Sequence, residues 1–174
     1  MLKLPALRRW QRLTLEGLAF LAAMFCVQAW QTREVPRAAP PLEGRLAGGG
    51  SASLAEFLRQ SGGRPVLVYV WSAWCSVCKI EETTIEAIGR DWPVLGVAMQ
   101  SGDVDEVARY MRARGLKNPA LVDLDGVQSW RYGVRGVPAF FVVDGSGAIR
   151  FAGAGYTTGW GLRARLWWAE AFPA

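Results

Sequence analysis

A continuous apolar run, PVLVYVW at residues 65–71, leads within a few residues to a pair of cysteines, Cys75 and Cys78. A run so rich in β-branched and aromatic residues, with no charged position, predicts a strand buried on both faces of a sheet. Beyond the cysteines a helical pattern extends to Gly89. Its predicted inward residues include Ile80, Ile85 and Ile88. The sequence therefore predicts a strand, a turn that contains Cys75, and a helix.

The rest of the chain continues to alternate between strand and helix patterns. VLGVAM at residues 94–99 predicts a second buried strand, and the segment 103–115 predicts a helix with acidic residues first and arginines last. The segment 138–153 predicts two strands joined by a turn, and 157–172 a final helix. The predicted inward residues of that helix are Leu162, Leu166 and either Trp167 or Ala169. This order predicts an α/β sandwich around a mixed sheet.

The N-terminal part of the chain predicts a membrane anchor. Residues 13–30 are mainly apolar, and Trp10 and Trp30 bracket them at about the spacing of the two bilayer interfaces. Because basic side chains precede this segment, we expect residues 1–12 to be a cytoplasmic flank and the remainder to be exported. A signal peptide is the alternative, because the uninterrupted apolar stretch is short. We therefore expect a single-pass protein of the inner membrane with a periplasmic folded domain.

The charge distribution separates this N-terminal part from the rest. Residues 1–40 carry six basic and two acidic side chains, whereas the remaining residues carry 14 basic and 13 acidic side chains. No basic stripe is left to bind a phosphate backbone, so we expect no nucleic-acid partner. The segment 31–50 is rich in proline and glycine and predicts a linker, which leaves 51–174 as one folded domain.

The position of the cysteines favours redox chemistry. Cys75 falls at the start of a predicted helix, where unpaired backbone N–H groups and the helix dipole stabilise a thiolate, so we expect it to be the nucleophile. Cys78 lies about one turn further on and is less accessible. It is placed to attack a mixed disulfide on Cys75 and to release the partner.

Other uses of the pair are less well supported. A zinc site lacks ligands, because the chain has no histidine and its third cysteine, Cys26, lies in the predicted span. A purely structural disulfide would close almost no loop and would stabilise little. Two thiolates could still bind Cu(I) with help from Met99 or Met111, so this alternative stays open.

From about Leu54 to Trp168 the chain resembles the thioredoxin-fold proteins. It is most similar to their exported, membrane-tethered branch, with the cytochrome-c-maturation thioredoxins and the oxidoreductases of suppressor-of-copper-sensitivity systems. The similarity rests on WCSVCK at 74–79, an added helix and strand around 103–122, and GVPAFFVVDGSG at 136–147. It implies a three-layer sandwich and a thiol:disulfide oxidoreductase without a cofactor, acting on protein substrates and paired with a membrane electron donor or acceptor.

The resemblance also implies a substrate-binding surface. Pro138 matches the family's cis-proline, which faces the cysteines, although sequence alone equally allows an ordinary proline at a strand start. If the bond is cis, Val137 can present its backbone N–H and C=O to an extended substrate segment. Trp74 is expected to shield Cys75 at the same surface.

Glu81 completes the implied site. It matches the acid of a C-x-x-C-x-x-E motif, and one helical turn brings it near Cys78, whose proton it could take or return. The alternative is a solvated helix charge like the neighbouring Glu82.

Two departures from the family pattern affect the predicted chemistry. Thioredoxins carry a buried aspartate six residues before the first cysteine, whereas this chain has Tyr69, so that proton relay is missing. The dipeptide between the cysteines, Ser76-Val77, is typical neither of reducing members nor of strong oxidants, and this dipeptide tunes the redox potential. We expect a reductase. A disulfide-forming oxidant and a Cu(I)-binding module of a copper-tolerance system are the alternatives.

Overall fold

The computed structural model describes residues 9–32 and 34–173. Within these residues the elements are, in chain order, α1 (Arg9–Thr32), β1 (Glu43–Arg45), β2 (Ser51–Ser53), α2 (Leu54–Gln60), β3 (Val66–Trp71), α3 (Ser76–Ile88), β4 (Val94–Met99), α4 (Val104–Arg114), β5 (Ala120–Asp123), α5 (Val127–Arg131), β6 (Ala139–Val143), β7 (Ile149–Ala154) and α6 (Gly159–Ala171).

Five of the strands form one mixed sheet in the spatial order β5-β4-β3-β6-β7. The central strand β3 runs parallel to β4 and antiparallel to β6, so that Val68 lies opposite Leu95 on one side and Phe141 on the other. β4 also pairs in parallel with β5, and β6 with β7 forms an antiparallel hairpin. The predicted mixed central sheet is therefore confirmed. β1 and β2 pair separately in a small antiparallel sheet.

Side chains of β3 alternate between two buried layers. One set packs with α3, α4 and α6, and consists of Leu67, Tyr69 and Trp71. The other set packs with α2 and the segment that follows α5, and consists of Val66, Val68 and Val70. Full burial of one such aliphatic side chain stabilises the fold by about 1.5–3 kcal/mol, which explains why the strand has no charged position. Helices thus cover both faces of the sheet, as the predicted three-layer sandwich requires.

The buried stripe of α3 differs from the predicted one. It consists of Cys78, Glu81, Ile85 and Ile88. These residues follow one another at three- and four-residue steps, the spacing that keeps side chains on one helical face. Ile80 lies outside this stripe and is 67% exposed, so its predicted inward position is wrong. A carboxylic acid therefore occupies the inward position next to the cysteines.

The last helix and the preceding hairpin turn are close to prediction. In α6 the inward residues are Leu162, Leu166 and Ala169, whereas the alternative, Trp167, is exposed.

In the β6–β7 turn, the buried carboxylate of Asp144 accepts hydrogen bonds from the N–H groups of Ser146 and Ala148 and from Arg150. Burial raises the pKa of Asp144, but the hydrogen bond from the Ser146 hydroxyl, together with these three, outweighs it and holds the pKa below its ordinary value.

The segment before the domain is more ordered than a free linker. Within the predicted linker 31–50, Leu42 and Ala47 are buried, and Leu46 forms a bridge with Leu121 of β5. The folded domain therefore begins earlier in the chain than residue 51.

Most of the predicted basic flank, residues 1–8, lies outside the described residues. The predicted anchor segment falls in α1, and among the described residues no helix has both the length and the apolarity to cross a membrane.

Candidate active site

Cys75 and Cys78 form a disulfide at the N-terminus of α3. Cys75 is the N-cap residue, and its Sγ accepts a hydrogen bond from the N–H of Cys78 at 3.1 Å. Cys75 is 6% exposed and Cys78 2% exposed. The sulfur of Cys75 therefore lies at the positive end of the helix dipole, where a thiolate is stabilised.

The loop before β6 lies against the first cysteine. The Val137–Pro138 peptide bond is cis, which settles a point that the sequence left open. The carbonyl oxygen of Val137 lies 3.6 Å from Sγ of Cys75. Val137 precedes Ala139, the first residue of β6 that pairs with β3 and β7, so its backbone lies outside those strand ladders. The structure thus brings the predicted substrate-binding backbone next to the predicted nucleophile.

Trp74 directly precedes Cys75 in the chain and is 61% exposed. Its Nε1–H donates a hydrogen bond of 3.1 Å to the carbonyl oxygen of Gln100, directly after β4. Gln100 has a φ of 47°, the left-handed region that non-glycine residues rarely adopt. Trp74 is therefore held at the surface beside the disulfide, where the sequence predicts a contact with substrate.

Glu81 lies inside the fold, with only 1% of its surface exposed. One carboxylate oxygen, Oε2, accepts a hydrogen bond from the hydroxyl of Tyr69 at 2.8 Å. The other oxygen, Oε1, accepts one from the N–H of Thr157, in the loop between β7 and α6. Glu81 is thus not a solvated helix charge. The spacing predicts that Glu81 lies one helical turn beyond Cys78, and the structure adds that it belongs to the same buried stripe of α3.

Burial and hydrogen bonding act in opposite directions on this carboxyl group. Burial raises the pKa of Glu81, because a charged carboxylate loses its hydration. The hydrogen bonds from Thr157 and Tyr69 stabilise the carboxylate and lower the pKa, but they do not outweigh burial. The net effect is that the pKa of Glu81 lies above its ordinary value.

Tyr69 is the residue whose role the sequence reasoning missed. It occupies the position where thioredoxins have a buried aspartate, and it faces α3 from β3. Its pKa is raised, first by burial and then by the neighbouring Glu81. An inward tyrosine in an apolar strand resembles an ordinary core residue. The available signal was that its hydroxyl, like any buried polar group, requires a partner.

Glu82 also has a specific structural role. Its carboxylate accepts a hydrogen bond from the hydroxyl of Tyr110 at 2.6 Å and forms an ion pair with Arg114, both on α4. Tyr110 in turn stacks on Trp71, with ring centroids 5.5 Å apart. Glu82 therefore fixes α4 to α3, in contrast to the solvated charge that we predict from the sequence.

The described residues contain no group of three or more histidine, cysteine, aspartate or glutamate side chains suited to a metal ion. The two methionines considered for Cu(I) lie in different layers. Met111 lines a cavity of about 30 Å³ together with Cys78, whereas Met99 packs on the opposite side of the sheet.

Comparison with curated proteins reveals several relatives. The chain is 27% identical to a thioredoxin-like protein of Haemophilus influenzae, in an alignment that covers 63% of this chain and 65% of the relative. It is 33% identical to the thiol:disulfide interchange protein DsbE of Escherichia coli strain K12, over 64% of this chain and 58% of the relative. The chain thus spans less than two thirds of the length of these relatives.

Solved structures with the same fold include the following two. A secreted thiol-disulfide isomerase from Corynebacterium glutamicum superposes with a TM-score of 0.68 at 17% identity, covering 77% of this chain and 86% of that protein. An exposed lipoprotein thioredoxin of Streptococcus pneumoniae superposes with a TM-score of 0.64 at 22% identity, covering 73% and 98%. These similarities show a thioredoxin-like fold. Residues 35–152 match the AhpC/TSA family, and because this match spans more than half of the chain, the protein belongs to that family of thioredoxin-like proteins.

Proposed function

We propose that the protein is a thiol:disulfide oxidoreductase that exchanges electrons with protein substrates through Cys75 and Cys78. The observation that carries this proposal is the disulfide at the N-terminus of α3, next to the carbonyl oxygen of Val137. The names of its curated relatives, which include thiol:disulfide interchange proteins, support the same activity.

The geometry suits a two-step exchange. In the reduced protein, the Cys75 thiolate attacks one sulfur of a substrate disulfide and expels the other substrate sulfur as a thiolate. The Cys78 thiol then gives its proton to Glu81, and its sulfur attacks Sγ of Cys75. The bond between Cys75 and the substrate breaks, and the second substrate sulfur leaves as a thiolate. One proton from Glu81 and one from solvent complete two substrate thiols, and the chain retains the Cys75–Cys78 disulfide.

We further propose that the protein works as a reductase, tethered by residues 13–30 to the inner membrane and kept reduced by a membrane electron donor. The support comes from the sequence: an apolar segment between two tryptophans, a basic flank before it, and the resemblance to exported cytochrome-c-maturation thioredoxins. In this arrangement the folded domain is periplasmic, and cytochrome c maturation is the process that supplies its substrates.

An insulin-reduction assay tests the activity. We expect catalytic turnover by the wild-type protein with a dithiol reductant, and loss of turnover in Cys75→Ser and in Cys78→Ser. Stoichiometric Cu(I) uptake without turnover would instead support the copper-binding alternative. The reduction potential of the cysteine pair tests the direction: a value near about −270 mV supports a reductase, whereas one near about −120 mV supports an oxidant.

A further inference from the structure

Tyr69 and Glu81 form a buried polar pair in a mainly apolar layer. Tyr69 is 4% exposed and Glu81 1% exposed, and they belong to different elements, β3 and α3. The hydroxyl of Tyr69 donates to Oε2 of Glu81 at 2.8 Å. Tyr69 also lines the small cavity beside Cys78. A buried polar pair of this kind fixes the position of both groups, because breaking it leaves an unpaired polar atom inside the fold.

The two groups of this pair have different capacities for proton transfer. Burial and the adjacent Glu81 raise the pKa of Tyr69, so its hydroxyl keeps its proton and acts as a permanent donor. Glu81 accepts hydrogen bonds on both of its oxygens and is the group of the pair that can change its protonation state. An aspartate at position 69 would itself be an acid or base. Because position 69 is a tyrosine, the base is Glu81 on α3, whereas β3 supplies only a hydrogen-bond donor.

The other ionisable groups around the pair contact other residues. On α3, Glu82 is bound to Tyr110 and Arg114 of α4. Both Glu82 and Tyr110 raise the pKa of Tyr69 and so disfavour its ionisation. From α6, the guanidinium of Arg165 lies over the ring of Phe140, the residue of β6 opposite Tyr69. From the loop before α6 comes the backbone N–H of Thr157. The direct contacts of the Glu81 carboxylate are thus the hydroxyl and this N–H group.

We propose that Tyr69 is a positioning residue for Glu81, whose carboxyl it holds in place and whose carboxylate form it stabilises for accepting the proton of Cys78. The inference rests on the proposed function, in which Glu81 takes that proton before Cys78 attacks the mixed disulfide. Because a hydrogen bond donated to a carboxylate favours the charged form, the Tyr69 hydroxyl extends the reaction to lower pH.

Tyr69→Phe tests this inference, because it removes the hydroxyl and keeps the ring that packs in the core. Loss of the donor should raise the pKa of Glu81, so the acidic limb of the pH–rate profile for mixed-disulfide release should move up by about one pH unit. At pH values below that limb, mixed-disulfide release should be about tenfold slower in Tyr69→Phe than in the wild type, since one pKa unit corresponds to a factor of ten. Tyr110→Phe is the matched control. It removes a hydroxyl donor to Glu82 from the same layer and should leave the limb unchanged.

Two further measurements separate positioning from a general structural effect. In a Glu81→Gln background, Tyr69→Phe should cause no further shift, since the group that it acts on is gone. Carboxyl ¹³C NMR of glutamate-labelled reduced protein should show a higher pKa of Glu81 in Tyr69→Phe than in the wild type. This result does not depend on whether the protein reduces insulin. An unchanged Glu81 pKa, or an equal shift in Tyr110→Phe, would overturn the role of Tyr69. Absence of turnover in the wild type would count against the proposed function alone.

Discussion

Replacing Glu81 by glutamine removes the buried acid while nearly preserving its shape. The carboxylate accepts hydrogen bonds from two donors, the hydroxyl of Tyr69 and the N–H of Thr157. Glutamine has one acceptor oxygen, so one of these donors must face the amide NH₂ group. An unpaired buried donor costs about 1–3 kcal/mol. Removal of a carboxylate whose burial is unfavourable offsets part of this, so we expect Glu81→Gln to fold with a modest change in stability.

The effect on chemistry should be much larger. General base catalysis typically contributes a factor of about 10²–10⁴, so release of the mixed disulfide by Cys78 should slow at least about 100-fold in Glu81→Gln. Attack by Cys75 on the substrate should keep its rate, because the N-terminus of α3 still stabilises that thiolate. Stopped-flow measurement with a fluorescent disulfide substrate resolves the two steps. The acidic limb of the release step should disappear in the variant.

Glu82→Gln is the control for this experiment. It removes a carboxylate from the next position of α3, but that carboxylate is bound to Tyr110 and Arg114 of α4. We expect a lower melting temperature and an unchanged pH profile. Equal release rates and pH profiles in wild type and Glu81→Gln would refute the assignment of Glu81 as proton acceptor. Equal slowing in both variants would show that the loss of any negative charge on α3 suffices.

Three further predictions concern other parts of the chain. In the reduced protein, Cys75 should be alkylated faster than Cys78 near pH 7, and Cys78→Ala should trap substrates as mixed disulfides; faster labelling of Cys78 would reverse the assigned roles. Full-length protein should fractionate with membranes and keep residues 13–30, whereas a soluble form that begins near residue 30 would contradict the tether. Asp144→Asn should lower the free energy of unfolding at pH 7 by about 1–3 kcal/mol. The folded-state pKa of Asp144 is lowered, so its contribution to the free energy of unfolding is present above the unfolded pKa of about 3.9. This contribution is lost as the pH falls through the folded-state pKa. Denaturation curves of the wild type and Asp144→Asn should therefore converge in acid.

Long elements with a strong periodicity could be predicted from the sequence. β3, β4 and the β6–β7 hairpin follow from short apolar runs and a turn signal, and α4 follows from its amphipathic pattern over 103–115; the structure adds that Asp103 and Gly115 are its caps. Short elements such as β2 and α5 could not be predicted, because three to five residues carry too little periodicity and depend on contacts with the rest of the domain.

The candidate site was predictable where its residues are close in sequence. Cys75, Cys78 and Glu81 share one helix, and their spacing alone places Cys78 and Glu81 on the same face. The inward position of Glu81 was harder to foresee, because hydrophobic preference favours Ile80 as the buried residue. The partners of Glu81 come from β3 and from the loop before α6, and pairing over such distances depends on tertiary packing that a periodic pattern does not encode.

The hydrogen bond between Thr157 and Glu81 also has a consequence for the order in which the chain is made. The two residues are 76 positions apart. At a synthesis rate of about 5–20 residues per second, Glu81 precedes Thr157 by about 4–15 s. During that interval both cysteines already exist, while their neighbouring acid lacks one of its two donors. The surroundings of the buried acid are therefore complete only after the ribosome has synthesised the loop before α6.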